Sequence, residues 1–176
     1  MIESLSERIS GYVYRNNDRQ HVNEDVMKYA LISIMTNICT IVLSLSVGLI
    51  LGMFKETCIT LVVTAALRLL AGGHHVSSPL LCVILSAAVV AVVPFIPLAL
   101  PLIYAFTVIS VLLIWKFAPM GFKNNTNISD RSLNIMKIVA MALVLSNFFF
   151  QSEMLAVSWM IVSLTLIHFK GGETHE

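Results

Sequence analysis

The sequence predicts an all-α, polytopic membrane protein of about six transmembrane helices, preceded by a short amphipathic helix at the interface. Three observations carry that prediction. Hydrophobic residues fill 57% of the 176 positions and charged residues only 12%, against roughly a quarter charged in soluble domains, and the mean hydropathy is +0.87. No Asp, Glu, Lys or Arg lies between Arg68 and Lys116, a stretch long enough to cross roughly 30 Å of hydrocarbon twice at about 20 residues per crossing. Laid out as six spans, the chain also gathers its cations on one side.

The expected spans are 29–54, 57–71, 79–93, 98–115, 135–150 and 154–169. Pro94, Pro97 and Pro101 punctuate the uncharged stretch and turn the chain between the third and fourth, because proline cannot continue a helix. The last two spans are short, as suits helices whose ends are shielded by neighbours. With the N-terminus in the cytoplasm, the cytoplasmic side receives Arg8, Arg15, Arg19, Lys28, Arg68, Lys116, Lys123, Arg131, Lys137 and Lys170, and the outside only Lys55. That bias agrees with the positive-inside rule. Five spans would put the group from Lys116 to Lys137 outside, which the same rule disfavours. The organisation expected is one membrane domain over 1–176: a cytoplasmic or interfacial segment 1–28, a bundle 29–169 and a short cytoplasmic tail 170–176.

Residues 1–28 hold Glu3, Glu7, Arg8, Arg15, Asp18, Arg19, Glu24, Asp25 and Lys28 and no apolar core, so no cleavable signal peptide is expected there. Ile2, Leu5, Ile9, Tyr12 and Val13 recur at helical spacing, which fits a helix lying on the membrane surface or packed against the bundle. A net charge of +1 gives no whole-chain attraction to nucleic acid, leaving the lipid bilayer as the partner that composition implies. Cys39, Cys58 and Cys82 have no CxxC spacing and suggest neither a disulfide framework nor a zinc knuckle.

The stretch RLLAGGHHVSSPLLCVILS, residues 68–86, carries the chemistry. Gly72 and Gly73 should end the second helix, since glycine adopts the backbone conformations found after helix C-termini. Ser78 followed by Pro79 reads as an N-cap and first helical residue, with the serine oxygen able to satisfy a free amide. On that register Cys82 is the fourth residue of the third helix. There the helix dipole stabilises negative charge and free amides can bind an oxyanion, a setting suited to a nucleophile.

His75 precedes Cys82 by seven residues. In one continuous helix the two would stand about 10 Å apart along the axis, too far for proton transfer. A break at GGHHVSSP lets the loop fold back and bring an imidazole within about 3 Å of the sulfur, as general base for the thiol. His74 could serve instead, although adjacent loop residues usually point apart. Alone, a cysteine in an apolar helix is usually a small hydrophobe, and Cys39 and Cys58 read that way; paired glycines, histidine, cap and first-turn cysteine together favour catalysis. Arg68 reads equally as a side chain snorkelling to the interface and as an anchor for a substrate carboxylate or for the loop. Ser78 and Ser86 lie four residues either side of Cys82, on its face, with capping and a backbone bond as the simpler roles. No acidic residue stands near enough in sequence to orient His75.

Arg68, Gly72, Gly73, His75, Cys82 and Ser86, with Ala118-Pro119 after the fourth span, resemble the accessory gene regulator B (AgrB) family of membrane peptidases. The resemblance implies a cysteine endopeptidase that processes a short AgrD-like propeptide into a quorum-sensing signal in a Gram-positive bacterium, with Cys82 as nucleophile and His75 as base. It further implies that cleavage releases an acidic C-terminal tail and leaves a peptidyl thioester, which a cysteine or serine of the peptide closes into a thiolactone or lactone. Two departures stand out: His74 before the matching histidine, and a loop APMGFKNNTNISDRS without the further proline often found in the family. Lys116, Lys123 and Arg131 could attract an acidic tail, although topology alone accounts for them.

Three other classes compete, the first of them a non-catalytic scaffold, which needs no activated thiol and would leave Cys82 and Cys39 equally reactive toward a small alkylating reagent. A small transporter or channel lined by His74, His75 and Arg68 would keep working without Cys82. A metal site of His74, His75 and Cys82 is weak, because vicinal histidines suit one tetrahedral ion poorly and no fourth ligand is evident; no cofactor is expected. A second copy of the chain would shield the short spans, so a homodimer is compatible with the reading.

Overall fold

The computed structural model describes residues 24–73, 78–120 and 129–167, together with residues 8, 9 and 11. Among the described residues six helices longer than one turn follow one another: α1 (Glu24–Ile50), α2 (Phe54–Ala71), α3 (Pro79–Val92), α4 (Leu100–Phe117), α5 (Asp130–Leu145) and α6 (Glu153–Leu164). Each overlaps one of the six expected spans, and no strand occurs among the described residues. The amphipathic N-terminal segment lies almost wholly outside them.

The boundary between the first two helices falls earlier than the hydropathy suggests. Gly52 takes φ +70, its amide donates to Leu49 O at 3.2 Å and that of Met53 to Gly48 O at 2.9 Å. This pair of bonds is the Schellman stop, so the apolar run to residue 54 is divided and Phe54 opens α2. Across the turn the helices touch closely: a Cβ on Gly48 would stand 2.5 Å from Thr57 Oγ1, while that hydroxyl donates back to Met53 O at 2.7 Å.

The prolines act as expected. A 3-10 turn (Val93–Phe95) and an extended segment separate α3 from α4, and Pro101 sits in the first turn of α4. α5 begins at Asp130, five residues before its expected start, because an acidic residue is favourable in a first helical turn. After α5, a single helical turn (Asn147–Phe150) leads to Gln151 at φ 49. The fully buried Asn147 holds this corner: its Nδ2 donates to Thr107 Oγ1 at 3.2 Å and its Oδ1 accepts from Ser152 N at 3.0 Å.

Three segments are long and apolar enough to cross a membrane, Met27–Ile50, Leu100–Phe117 and Asp130–Phe150. The others are shorter or more polar, and the packing says why that is tolerated. Of the twelve residues of α6, six are buried, so this helix lies within the bundle and presents little surface to lipid. α6 packs on α2 and α4, α5 packs on α4 and α2, and α1 pairs with α3 alongside α2. The core joins Leu67 and Ala71 of α2, Ile114 and Ala118 at the end of α4, Ala140 and Val144 of α5, and Trp159 and Val162 of α6 with Leu166 just beyond it. Alanines at these contacts let helices approach closely, the main source of association where lipid is as apolar as the side chains. By contrast Ile34, Ile38, Val42 and Leu49 of α1 are exposed, as suits a face turned to lipid.

Gly48→Ala should destabilise the fold by about 1–3 kcal/mol through overpacking against Thr57. Gly52→Ala, with open space around its Cβ but a positive φ, should cost about 1 kcal/mol through backbone strain alone. Thermal unfolding in detergent would rank the two, and an equal loss would show that the α1–α2 contact is loose.

Candidate active site

Three helix C-termini meet at one end of the bundle, and the two glycines are why they can. α2 ends at Ala71 with the Gly72 amide donating to Arg68 O at 3.0 Å. Gly72 then takes φ 76 and ψ −151, which leads the chain into an extended pairing instead of a left-handed helical cap. Gly72 and Met120 form a parallel bridge, and the Met120 amide donates to Ala71 O at 3.0 Å. A Cβ on Gly72 would collide with the carbonyl oxygen of Met120. Gly73, at φ +147, abuts α6: a Cβ there would stand 2.8 Å from Thr165 Oγ1, a hydroxyl that donates to Val162 O at 2.7 Å. The ends of α2, α4 and α6 are thus pinned around two residues that must lack side chains.

Electrostatics match this convergence. Helix C-termini carry partial negative charge, and Arg68 and Lys116 stand in the last turns of α2 and α4. Arg68 is half-buried beside the glycine stop. Lys116 is exposed, with its Nζ 5.4 Å from the centre of the Phe117 ring.

α3 begins six residues after Gly73. Ser78 occupies the N-cap position with φ −92 and ψ 118, and Pro79 is the first helical residue, as expected. One expectation needs correcting: the Ser78 hydroxyl makes no capping bond. Its extended backbone and the fixed φ of Pro79 suffice to start the helix. The first intrahelical bond runs from Cys82 N to Ser78 O at 3.0 Å, so the Leu80 and Leu81 amides have no acceptor within the helix itself.

Cys82 is 7% exposed and belongs to the buried stripe of α3 with Val83, Ala87, Val90 and Ala91. Leu80, Leu81, Ile84 and Leu85 form the exposed face. Ser86 is half-buried one turn further along. The other two cysteines differ: Cys39 is exposed and Cys58 intermediate. The bracketing ends of the loop, Gly73 and Ser78, are therefore placed, while His74 and His75 lie outside the described residues. Among the described residues no group of three His, Cys, Asp or Glu could hold a metal ion.

A cleft of about 390 Å³ adjoins the Gly72–Met120 bridge, lined by Lys116, Phe117, Ala118 and Pro119 from α4 and its end, and by Asp130, Leu133, Asn134 and Lys137 of α5. Of the three cations suggested for an acidic tail, Lys116 lines it, Arg131 is exposed beside it without lining it, and Lys123 lies outside the described residues. Sequence reasoning passed over three residues here. Met120 and Thr165 touch the glycines from distant parts of the chain, and no local pattern signals them. Lys137 had a signal, a cation well inside an apolar helix.

Fold and site together define an integral helical-bundle protein with a glycine-paired helix stop and an inward-facing first-turn cysteine at one end. The family model for AgrB, accessory gene regulator B, matches residues 6–170, nearly the whole chain, and the chain belongs to that family. Membership gives it a part in processing the quorum-sensing peptide of the accessory gene regulator system, in a membrane setting, with an AgrD-like propeptide as substrate. No curated protein and no solved structure matches the chain significantly.

Gly72→Ala should be the most damaging single change at this end, costing upwards of about 2 kcal/mol because the clash is with backbone. Gly73→Ala should be milder and partly relieved by Thr165→Ala, with a coupling of at least about 0.5 kcal/mol in a double-mutant cycle. Strict additivity of the last two would show that Gly73 and Thr165 are not in contact.

Proposed function

We propose that the protein is a membrane-embedded cysteine endopeptidase that removes the C-terminal tail of an AgrD-like propeptide and holds the remainder as a thioester for ring closure. The observation that supports this most is the position of Cys82, in the first turn of α3 on its inward stripe, beside the pinned end of α2. Family membership supplies the substrate.

In this reading His75, on the loop between Gly73 and Ser78, takes the thiol proton as Cys82 Sγ attacks the scissile carbonyl. The Leu80 and Leu81 amides, at the positive end of α3, face the developing oxyanion. Collapse of the tetrahedral intermediate breaks the C–N bond, the imidazolium protonates the departing amine, and the tail leaves. The acyl group stays on sulfur in activated form, and a cysteine thiol or serine hydroxyl of the peptide attacks it. That attack releases the Cys82 thiolate, and the attacking group gives its proton to the imidazole of His75, neutral again once the tail has left. Arg68 serves the same end of the bundle, as an anchor for a peptide carboxylate or for the loop.

The cationic end of the bundle is assigned to the cytoplasm, with six crossings and both termini inside. Arg68, Lys116 and Arg131 stand at the end that carries the Gly72–Met120 bridge, and Lys55 at the start of α2 stands at the other, as the positive-inside rule requires.

Co-expression with the small peptide encoded beside the gene, followed by mass spectrometry of membranes, tests the reading. Wild type should release the tail, whereas Cys82→Ala and His75→Ala should each lose at least about 10²-fold in rate. Cys39→Ala, Cys58→Ala and His74→Ala should stay within a few-fold of wild type. Cleavage by Cys82→Ala would sink the mechanism.

A further inference from the structure

Lys137 poses a question that peptide cleavage does not answer. It lies seven residues into α5, about 10 Å along the axis from the helix start, on a segment long and apolar enough to span a membrane. A cation at that depth is costly unless something polar or anionic meets it. Among the described residues no ion pair engages Lys137, Lys116 or Asp130. Lys137 is half-buried and faces the 390 Å³ cleft shared with Lys116 and Asn134.

Lys116 lines a second depression too. A shallow depression of about 370 Å³ has Leu112, Trp115 and Lys116 as its lining among the described residues, and Trp115 is 63% exposed. The exposed apolar side chains of Leu112 and Trp115 therefore adjoin, across one shared lysine, a polar cleft with a second lysine. Apolar length ending in paired cations, with a tryptophan at the junction, is the complement of one molecule: a phospholipid with an anionic headgroup. We propose that this cleft is a binding site for an anionic phosphoglyceride, its phosphate between Lys116 and Lys137, its headgroup hydroxyls toward Asn134 and Asp130, and an acyl chain against Leu112 and Trp115.

An acidic peptide is the competing occupant. It would account for the two lysines, but it has no use for the exposed apolar side chains of Leu112 and Trp115 or for Asp130 within the cleft. The lipid accounts for all of these. Its occupancy would also bear on the catalytic end, because the cleft wall Ala118–Pro119 runs directly into Met120, which holds Gly72. The lipid site stands apart from the peptidase reading and is tested without it.

Trp115 provides the probe. Trp159, the other tryptophan, is 2% exposed, so quenching by brominated acyl chains reports mainly on Trp115. Full-length Cys82→Ala protein would be reconstituted in phosphatidylcholine vesicles and titrated with brominated phosphatidylglycerol or, separately, brominated phosphatidylcholine. A several-fold steeper quenching by the anionic lipid is expected, falling to about equal in Lys137→Gln and in Lys116→Gln while the far-ultraviolet helical signal is retained. Equal quenching in the unsubstituted lysine background, or a preference that survives both substitutions, would overturn the proposal. So would full displacement of the brominated phosphatidylglycerol by an equimolar, soluble glutamate-rich peptide, which would assign the cleft to a peptide.

Discussion

The pairing of Gly72 with Met120 demands an empty Cβ position at residue 72, and that demand shapes the whole polar end of the bundle. A helix of ordinary residues cannot end against the backbone of another, because every side chain holds the two apart. Here the chain turns from helix to extended pairing within one residue, so the end of α2 is fixed by Met120 N–H donating to Ala71 O and the end of α4 is fixed with it. Gly73 repeats the device against Thr165. Two consecutive glycines thus join three helix ends that α2, α4 and α6 could not join by side-chain packing alone.

The interior of the bundle follows the logic of a membrane protein. Trp159 is buried on α6 and points its indole N–H at Val63 O, 3.4 Å away, where a polar group without a partner would be expensive. Thr60 and Thr64 of α2 and Ser158 and Ser163 of α6 carry buried hydroxyls with no partner among the described residues. Small side chains bring these two helices close whether or not their hydroxyls bond, and closeness is what holds helices together in lipid. The buried face of α6 explains its length: at twelve residues it extends only about 18 Å, too little to span a bilayer alone but adequate inside a bundle.

Much of this was legible beforehand, and the reasons differ by element. The six helices could be read because apolar composition and proline punctuation are local signals. The third helix was placed almost to the residue, since Ser78-Pro79 is a start signal that depends on nothing distant. The first turn was missed because Gly52 lies inside an apolar run whose hydropathy does not change; only its φ +70 reveals the stop. At the candidate site, the spacing foretold that the glycines end α2 and that Cys82 falls in the first turn of α3, yet the glycines were understood only as a helix stop. Their partners, Met120 and Thr165, are 48 and 92 residues away in the sequence, and contact at that separation leaves no local trace. Ser78 shows the opposite failure: the residue type fits a capping hydroxyl, but backbone geometry alone does the work.

On the peptidase reading, a nucleophile and its base need different kinds of support, and the two would find it at this end in different ways. Cys82 is carried on a helix turn whose dihedral angles are set by Pro79 and whose inward face is packed, so its sulfur has few places to go. The imidazole proposed as its partner belongs to a loop, where backbone freedom would ordinarily spoil alignment. That loop, however, leaves from Gly73, seated against Thr165, and returns at Ser78, the cap of the helix that bears the cysteine. Only four residues separate these two placed ends. A longer loop would loosen the pair, and a side chain at Gly72 or Gly73 would move its anchor. On the peptidase reading, the paired glycines are thus part of catalytic alignment even though neither offers a reactive group.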